Sequence, residues 1–271
     1  MSSSTIVFVS IICVFVSIPI MKTIVGKANL LRINFKGQSI PAGYGFIIAM
    51  AAVPVYIMMS TAVRYSKDAW TYVMAIAGFG LMGLVDDIYG TRETGGFKGH
   101  FSLLMRGKIT TGIVKVLVGG ILSLFLGFAI GGFQPVMIAV NGLLIALSAN
   151  MLNLLDLRPG RAVSCFWLGL IILMAASSES LFYVILLPVI IPCIYLTIGD
   201  RSARVMMGDA GSNTLGAFLG VSFAMMAGLP WKLVIIFILI CIHVYAEKYS
   251  ISGLIESNRI LRRIDRLLGE R

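Results

Sequence analysis

Residues 69–90 read AWTYVMAIAGFGLMGLVDDIYG, an apolar run that ends in two adjacent aspartates, Asp86 and Asp87. About 20 apolar residues in a helix are needed to cross a bilayer core roughly 30 Å thick, and this run has about that length. A carboxylate at the edge of a membrane helix is costly unless it binds something. The stretch therefore predicts a membrane-spanning helix that delivers acid to one membrane face.

The rest of the chain has the same apolar character. Of its 271 residues, 58% are hydrophobic and only 13% are charged, and the mean hydropathy is +0.96. Such a composition predicts an all-α polytopic membrane protein rather than a soluble one. We expect about nine transmembrane helices, from the apolar runs at residues 4–21, 40–61, 69–85, 109–130, 136–148, 162–175, 181–198, 214–228 and 233–245.

The basic residues predict the orientation of these helices, because Lys and Arg collect in cytoplasmic loops. With the N-terminus outside, 18 of the 22 basic residues fall on the cytoplasmic side, including the C-terminal tail. Arg64 and Lys67 fall on the opposite side, and Lys115 and Lys232 fall within or beside spans. The net charge of +10 mostly follows from this rule, so a nucleic-acid partner is not expected.

We divide the chain into a transmembrane catalytic domain, residues 1–248, and a basic tail, residues 249–271. Apolar residues in the tail recur near helical spacing, with four arginines between them: Arg259, Arg262, Arg263 and Arg266. This pattern predicts an amphipathic helix on the anionic cytoplasmic leaflet. The alternative is a tail that closes over a cytoplasmic site.

Acidic turns follow three different apolar runs on the predicted cytoplasmic side. Asp86 and Asp87 lie in GLVDDIYG, Asp156 lies in NMLNLLDLRPG and Asp209 lies in MGDAGSN. Carboxylates gathered at one face suit a divalent metal and a diphosphate. The glycines around Asp209 would let backbone amides approach phosphate, and Ser212 is predicted to cap the next helix. Taken singly, each turn is equally well explained by solvated loop acids or helix caps.

In this order, GLVDDIYG, NMLNLLD and GDAGSNTLG resemble the three cytoplasmic signatures of the polyprenyl-phosphate N-acetylhexosamine-1-phosphate transferases. The segment KGQSIPAGYG at residues 36–45 is a degenerate match to a basic, Pro- and Gly-containing segment of that family. The resemblance implies transfer of a sugar 1-phosphate from a UDP-sugar to polyprenyl phosphate, with release of UMP. It also implies Mg²⁺ as cofactor, with Mn²⁺ as an alternative, and an active site on the cytoplasmic face of a bacterial plasma membrane. The pathway would be cell-envelope polysaccharide or peptidoglycan synthesis.

The resemblance also implies roles for single residues. Asp86, Asp87 and Asp209 would be catalytic, and Asp87, Asp156 and Asp209 would be metal ligands. The predicted substrate-binding residues are Lys36, Lys108, Lys115, Asn150, Asn153, Asp156, Arg158, Arg161 and Ser212.

Several of the basic residues have an alternative interpretation. Lys115 is an intramembrane cation that either faces the cleft or serves as a packing or snorkelling lysine. Arg158 and Arg161 are either diphosphate contacts or charges that set the topology. For the chemistry, we favour direct attack by the lipid phosphate over a covalent aspartyl intermediate, with Asp86 orienting the nucleophile or taking a residual proton.

The chain departs from the peptidoglycan translocase in three respects, one of which is that about nine helices are predicted where ten or more are usual, so that it resembles a short member of the family. Pro159 stands where that enzyme has a second aspartate that helps to recognise the nucleotide, and only two histidines, His100 and His243, are present. Pro159 leaves the recognition of the nucleotide base open, and the two well-separated histidines do not form the histidine-rich segment of that enzyme, so a muramoyl-pentapeptide substrate is not favoured. The competing classes are a transport-type or lipid-binding membrane protein, a non-catalytic homologue that binds lipid phosphate, and a CDP-alcohol phosphotransferase, whose signature is absent.

Glycines within the apolar runs predict close helix packing. Gly78, Gly80 and Gly83 form a formal GxGxxG, but no strand precedes it and no acid follows at the required distance. Gly216 and Gly220 form a similar pair of small residues. Tight helix contacts are expected at both places, and a homodimer is one arrangement that such contacts allow.

Overall fold

The computed structural model describes residues 2–62, 65–90, 111–176 and 180–269. Within these ranges, one apolar helix corresponds to each predicted run. The helices are α1 Ser3–Lys27, α2 Ile47–Ser60, α3 Ser66–Tyr89, α4 Thr111–Gly131, α5 Pro135–Leu155, α6 Arg161–Ala176, α7 Ser180–Arg201, α8 Gly208–Met226 and α9 Leu229–Lys248.

The helices differ in their ability to cross a membrane. Among the described residues, six are long and apolar enough to do so: α1, α3, α4, α5, α9 and the Tyr183–Arg201 part of α7. The apolar helices α2 and α6 are shorter. The predicted all-α class and the multi-pass character are thus confirmed, whereas nine spans and the orientation of the termini stay predictions.

A small hairpin between α1 and α2 was not predicted. Strand β1, Leu31–Ile33, pairs antiparallel with β2, Ser39–Pro41, and a 3-10 turn, Tyr44–Phe46, precedes α2. The predicted apolar helix from residue 40 is therefore wrong at its start. The backbone after β2 is bonded elsewhere: the Met206 amide donates to the Pro41 carbonyl at 2.7 Å, and the Tyr44 amide donates to the Met206 carbonyl at 3.0 Å.

Helix α8 lies at the centre of the bundle. Residues 210–222 of this helix are all buried, and α8 packs mainly against α3 and α5. Glycines allow this approach: a Cβ on Gly83 would lie 2.3 Å from the Asp209 carbonyl oxygen, and one on Gly216 would lie 2.3 Å from the Ser148 carbonyl oxygen. The predicted close packing is confirmed, and these glycines serve contacts inside the bundle.

The tail forms two short helices, α10 Ile251–Ser257 and α11 Arg259–Leu268. An ion pair docks the amphipathic helix α11 on the rest of the protein. Arg161 donates from Nε to Asp265 Oδ1 at 2.5 Å and from Nη2 to Asp265 Oδ2 at 3.2 Å. Both side chains are buried. The Arg201 guanidinium also donates to the Leu267 carbonyl at 2.7 Å. The tail therefore packs against the ends of α6 and α7.

Candidate active site

Helix ends and the hairpin enclose a cavity of about 730 Å³. The end of α3, the start of α4, the turn after α5 and the turn between α7 and α8 all contribute to its lining. Five aspartates line the cavity: Asp86, Asp87, Asp156, Asp200 and Asp209. The structure thus brings together the four aspartates that the sequence singled out, and it adds a fifth.

The Lys115 ammonium neutralises part of the negative charge of these carboxylates. Its side chain, on the second turn of α4, contacts the Asp209 carboxylate, and its Nζ lies 3.5 Å from Asp86 Oδ2. The three side chains are 16 to 26% exposed, so water screens them only in part. Lys115 therefore faces the cavity side of α4, in agreement with the cleft interpretation, and joins two of the predicted catalytic aspartates.

Asn153 and Ser212 form a second layer beside this pair. With its amide rotated to satisfy both groups, Asn153 donates to Asp209 Oδ1 at 3.1 Å and accepts from Lys115 Nζ at 2.8 Å. The Ser212 hydroxyl donates to the Gly208 carbonyl at 3.0 Å. The two Asn153 contacts hold the Asp209 carboxylate and the Lys115 ammonium in fixed relative positions.

The N-terminus of α8 is capped by a carboxylate from another helix. Asp87 accepts the amides of Asp209 and Ala210, each at 2.9 Å. The first amides of a helix have no partner within the helix and carry partial positive charge, so carboxylates stabilise them. These amides were predicted to approach phosphate, but they are already engaged.

The predicted capping role of Ser212 is wrong. Helix α8 begins at Gly208, so Ser212 lies within its first turns, and Asp87 supplies the cap from across the bundle. A serine after two glycines has the sequence pattern of a cap, but here the chain becomes helical four residues earlier. Asp87 consequently has a packing role in addition to any chemical one.

The carboxylates raise one another's proton affinity. Burial raises the pKa of Asp156 well above its usual value, and the nearby carboxylates of Asp200, Asp209 and Asp87 raise this pKa further. Such a cluster is stable as a set of anions only with a cation nearby. Lys115 supplies one positive charge beside them, and Arg32 and Arg158 also line the cavity, so the five aspartates outnumber these three cations.

The carboxylate oxygens at the cavity are of the chemical type that magnesium takes as ligands. Mg²⁺ takes oxygen ligands and is usually held by one or two carboxylates together with water and substrate phosphates. The carboxylates of Asp87, Asp156 and Asp209 offer such oxygens at the cavity. Among the described residues, no group of three His, Cys, Asp or Glu side chains could hold a metal ion by itself. A Mg²⁺ ion bound at this cavity would also take oxygens from water or from substrate phosphates.

The other predicted binding residues are more scattered. Arg158 lines the cavity and forms an exposed ion pair with Glu256, whereas Arg161 is buried against Asp265 and does not line it. Lys36 is exposed at the hairpin tip, with its Nζ 5.6 Å from the centre of the Phe35 ring. Asn150 is exposed near the end of α5. Lys108 lies outside the described residues.

Asp200 and the hairpin are two features of the site that were not predicted from the sequence. Asp200 is the first of the two acids in the stretch GDRSARVMMGD, residues 199–209, and only the second, Asp209, was singled out. Two acids nine residues apart, on either side of a turn, were a usable signal. The hairpin shows only as a break in hydropathy, although Arg32, Ile33 and Phe35 from it line the cavity.

The chain matches a known protein family over the residues that carry most of the candidate site. The family model described as glycosyl transferase family 4 matches residues 69–228, which include all three acidic turns. The chain belongs to this family. This glycosyl transferase family 4 protein is therefore a multi-pass membrane protein with the sugar-phosphate transferase activity, directed to polyprenyl phosphate, that the family implies. No curated protein gives a significant match to the chain.

Proposed function

We propose that the protein transfers N-acetylhexosamine 1-phosphate from a UDP-sugar to polyprenyl phosphate, for which undecaprenyl phosphate is the expected acceptor, and releases UMP. The reaction takes place at the cytoplasmic face of a bacterial plasma membrane, in the synthesis of a cell-envelope polysaccharide or peptidoglycan. The family match supports the reaction class. The UDP-sugar and the pathway belong to this proposal.

One observation carries the assignment to this cavity: Asp86 and Asp209, from helices α3 and α8, share the Lys115 ammonium. Phosphoryl transfer requires positioned charges around an in-line displacement more than it requires covalent chemistry by the protein. Acidic and basic side chains that lie close together at the ends of helices provide such positioned charges. A coupling site of a transporter is instead expected near the middle of the membrane on broken helices.

In the proposed reaction, an oxygen of the lipid phosphate attacks the sugar-linked phosphorus of the UDP-sugar. The bond to that phosphorus forms as its bond to the bridging oxygen breaks, and UMP leaves with the bond's electron pair. Lys115 stabilises negative charge on the phosphates, and Asp86 orients the attacking phosphate or takes its residual proton. The attacking group is already an anion, so no covalent aspartyl intermediate is needed.

Magnesium fits this scheme as a cofactor held by Asp209, Asp156 and Asp87. When bound, it would neutralise the charge of the diphosphate and of the leaving UMP. Asp87 also keeps α8 in place through two amide hydrogen bonds. Its substitution should therefore impair both folding and activity.

The test is a transfer assay on the purified full-length protein with undecaprenyl phosphate and a panel of UDP-sugars. Release of UMP and formation of lipid-linked sugar are followed with Mg²⁺, with Mn²⁺ and with EDTA. Asp209→Asn serves as the site variant, and Asp68→Asn, at the opposite end of α3, serves as the control. We expect metal-dependent product that Asp209→Asn abolishes and Asp68→Asn retains.

Two results would overturn the proposal. One is the absence of product from every donor when the protein is shown to be folded by its cooperative thermal unfolding. The other is full activity of Asp209→Asn, which would remove the cavity as the site even if the chain were a transferase.

A further inference from the structure

Asp200 is a buried carboxylate on the last turn of α7 that none of the proposed chemical roles uses. Its residue is only 3% exposed. Its two oxygens accept different backbone amides, Oδ2 that of Gly160 at 2.8 Å and Oδ1 that of Met207 at 3.3 Å. One side chain therefore bridges two turns that lie far apart in the sequence.

These two turns carry groups of the proposed active site. Gly160 ends the turn that begins at Asp156, and Met207 directly precedes Gly208 and Asp209. Gly160 has a φ of +82°, which favours glycine, so its amide is held in a conformation that few other residues adopt. The Asp200 carboxylate thus sets the spacing between the turn of Asp156 and the start of α8.

Packing alone does not explain a carboxylate at this position. Asp200 is buried beside Asp156, and burying two like charges together is costly unless each is held by hydrogen bonds. An apolar side chain would fill the space without that cost but would leave the amides of Gly160 and Met207 without their acceptor. The carboxylate is the group that can satisfy two amides at once.

We propose that Asp200 is a positioning residue for sugar-phosphate transfer: it fixes the turn of Asp156 relative to Asp209 by bonding the amides of Gly160 and Met207. The proposal rests on the proposed function, since it assigns those two aspartates to the reaction. Asp200 itself acts through the backbone and not on the substrate.

The first experiment measures the bridge without reference to activity. Amide hydrogen exchange is followed by mass spectrometry on the full chain in lipid nanodiscs, for the wild type and for Asp200→Ala. We expect exchange in peptides that contain Gly160 and Met207 to be about tenfold faster or more in the variant. Ser222→Ala is the control, because it removes a buried hydrogen bond to Tyr72 at 2.8 Å in the middle of the bundle. It should leave both peptides unchanged.

The second experiment separates positioning from simple stability. For Asp200→Ala we expect kcat to fall about tenfold to a hundredfold per folded molecule, while KM for the UDP-sugar stays within about threefold, since misplaced groups weaken the transition state most. Asp200→Asn keeps an acceptor oxygen for one of the two amides and should recover part of the rate. Ser222→Ala should lower the unfolding temperature but keep the wild-type kcat.

Each other outcome contradicts the proposal. Unchanged exchange at Gly160 and Met207 would show that Asp200 does not hold the turns. A normal kcat in Asp200→Ala would reduce Asp200 to a structural residue, and an Asp200→Asn variant as slow as Asp200→Ala would indicate that its charge acts directly. If the wild type transfers no sugar phosphate, the proposed function fails, and the exchange experiment alone decides whether the bridge exists.

Discussion

Replacing Lys115 by methionine would keep much of its volume but remove the cation shared by Asp86 and Asp209. Two unit charges about 4 Å apart attract by about 4 kcal/mol at an effective dielectric constant of about 20. The Lys115 side chain is 16% exposed, and its Nζ lies 3.5 Å from Asp86 Oδ2, so solvent and desolvation offset part of that attraction. We expect a loss of about 2.7 kcal/mol in transition-state stabilisation, a reduction of about a hundredfold in kcat/KM.

The assay is the transfer reaction, with kcat/KM measured per folded molecule. Lys232 offers a control, because it is another lysine of low exposure in a membrane helix. Its Nζ donates to Asn141 Oδ1 at 2.8 Å, and neither residue lines the cavity. Lys232→Met should lower the unfolding temperature and leave kcat/KM within about twofold. The proposed role of Lys115 is refuted if Lys115→Met keeps a third or more of the wild-type kcat/KM, or if Lys232→Met is equally impaired.

Three further changes test the architecture around the site. Asp87→Asn should lower both the unfolding temperature and the activity, because it weakens two charge-assisted bonds to the start of α8; a normal unfolding curve would contradict the capping role. Gly216→Ala should lower the free energy of unfolding by about 1 to 3 kcal/mol in chemical denaturation, because the added Cβ would meet backbone atoms. Gly120 has open space around it, so Gly120→Ala should be neutral or slightly stabilising. Equal changes in the free energy of unfolding for the two variants would contradict the close packing at Gly216. Asp265→Ala should leave the Arg161 charge buried and release the tail to limited proteolysis, and an unchanged cleavage rate would argue against the docked tail.

Most of the helical architecture could be predicted from the sequence, because a bilayer imposes a length and an apolar composition on each segment. The three acidic turns could also be predicted to meet, since the charge pattern placed Asp86, Asp156 and Asp209 at one face. The capping of α8 could not be predicted. It depends on Asp87, which is more than 100 residues from the amides that it accepts, and no local pattern reports such a contact.

Arg161 is a second residue whose contact in the structure could not be predicted from a local sequence pattern. An arginine just after an acidic motif is equally compatible with a diphosphate contact and with a loop charge. The structure pairs it with Asp265 in the tail, 104 positions away. Only the three-dimensional arrangement distinguishes these alternatives, because Arg158 and Arg161 have the same chemistry and nearly the same position in the chain.

The carboxylate cap on α8 has a consequence for inhibitor design. A helix start with unpaired amides would attract a phosphate mimic directly, but here Asp87 already occupies the amides of Asp209 and Ala210. A sulfonate or phosphonate group added to a nucleoside would be repelled by the carboxylates that line the cavity. A compound that replaces the diphosphate with a neutral or cationic linker would match the cavity better, and its affinity should survive removal of divalent metal.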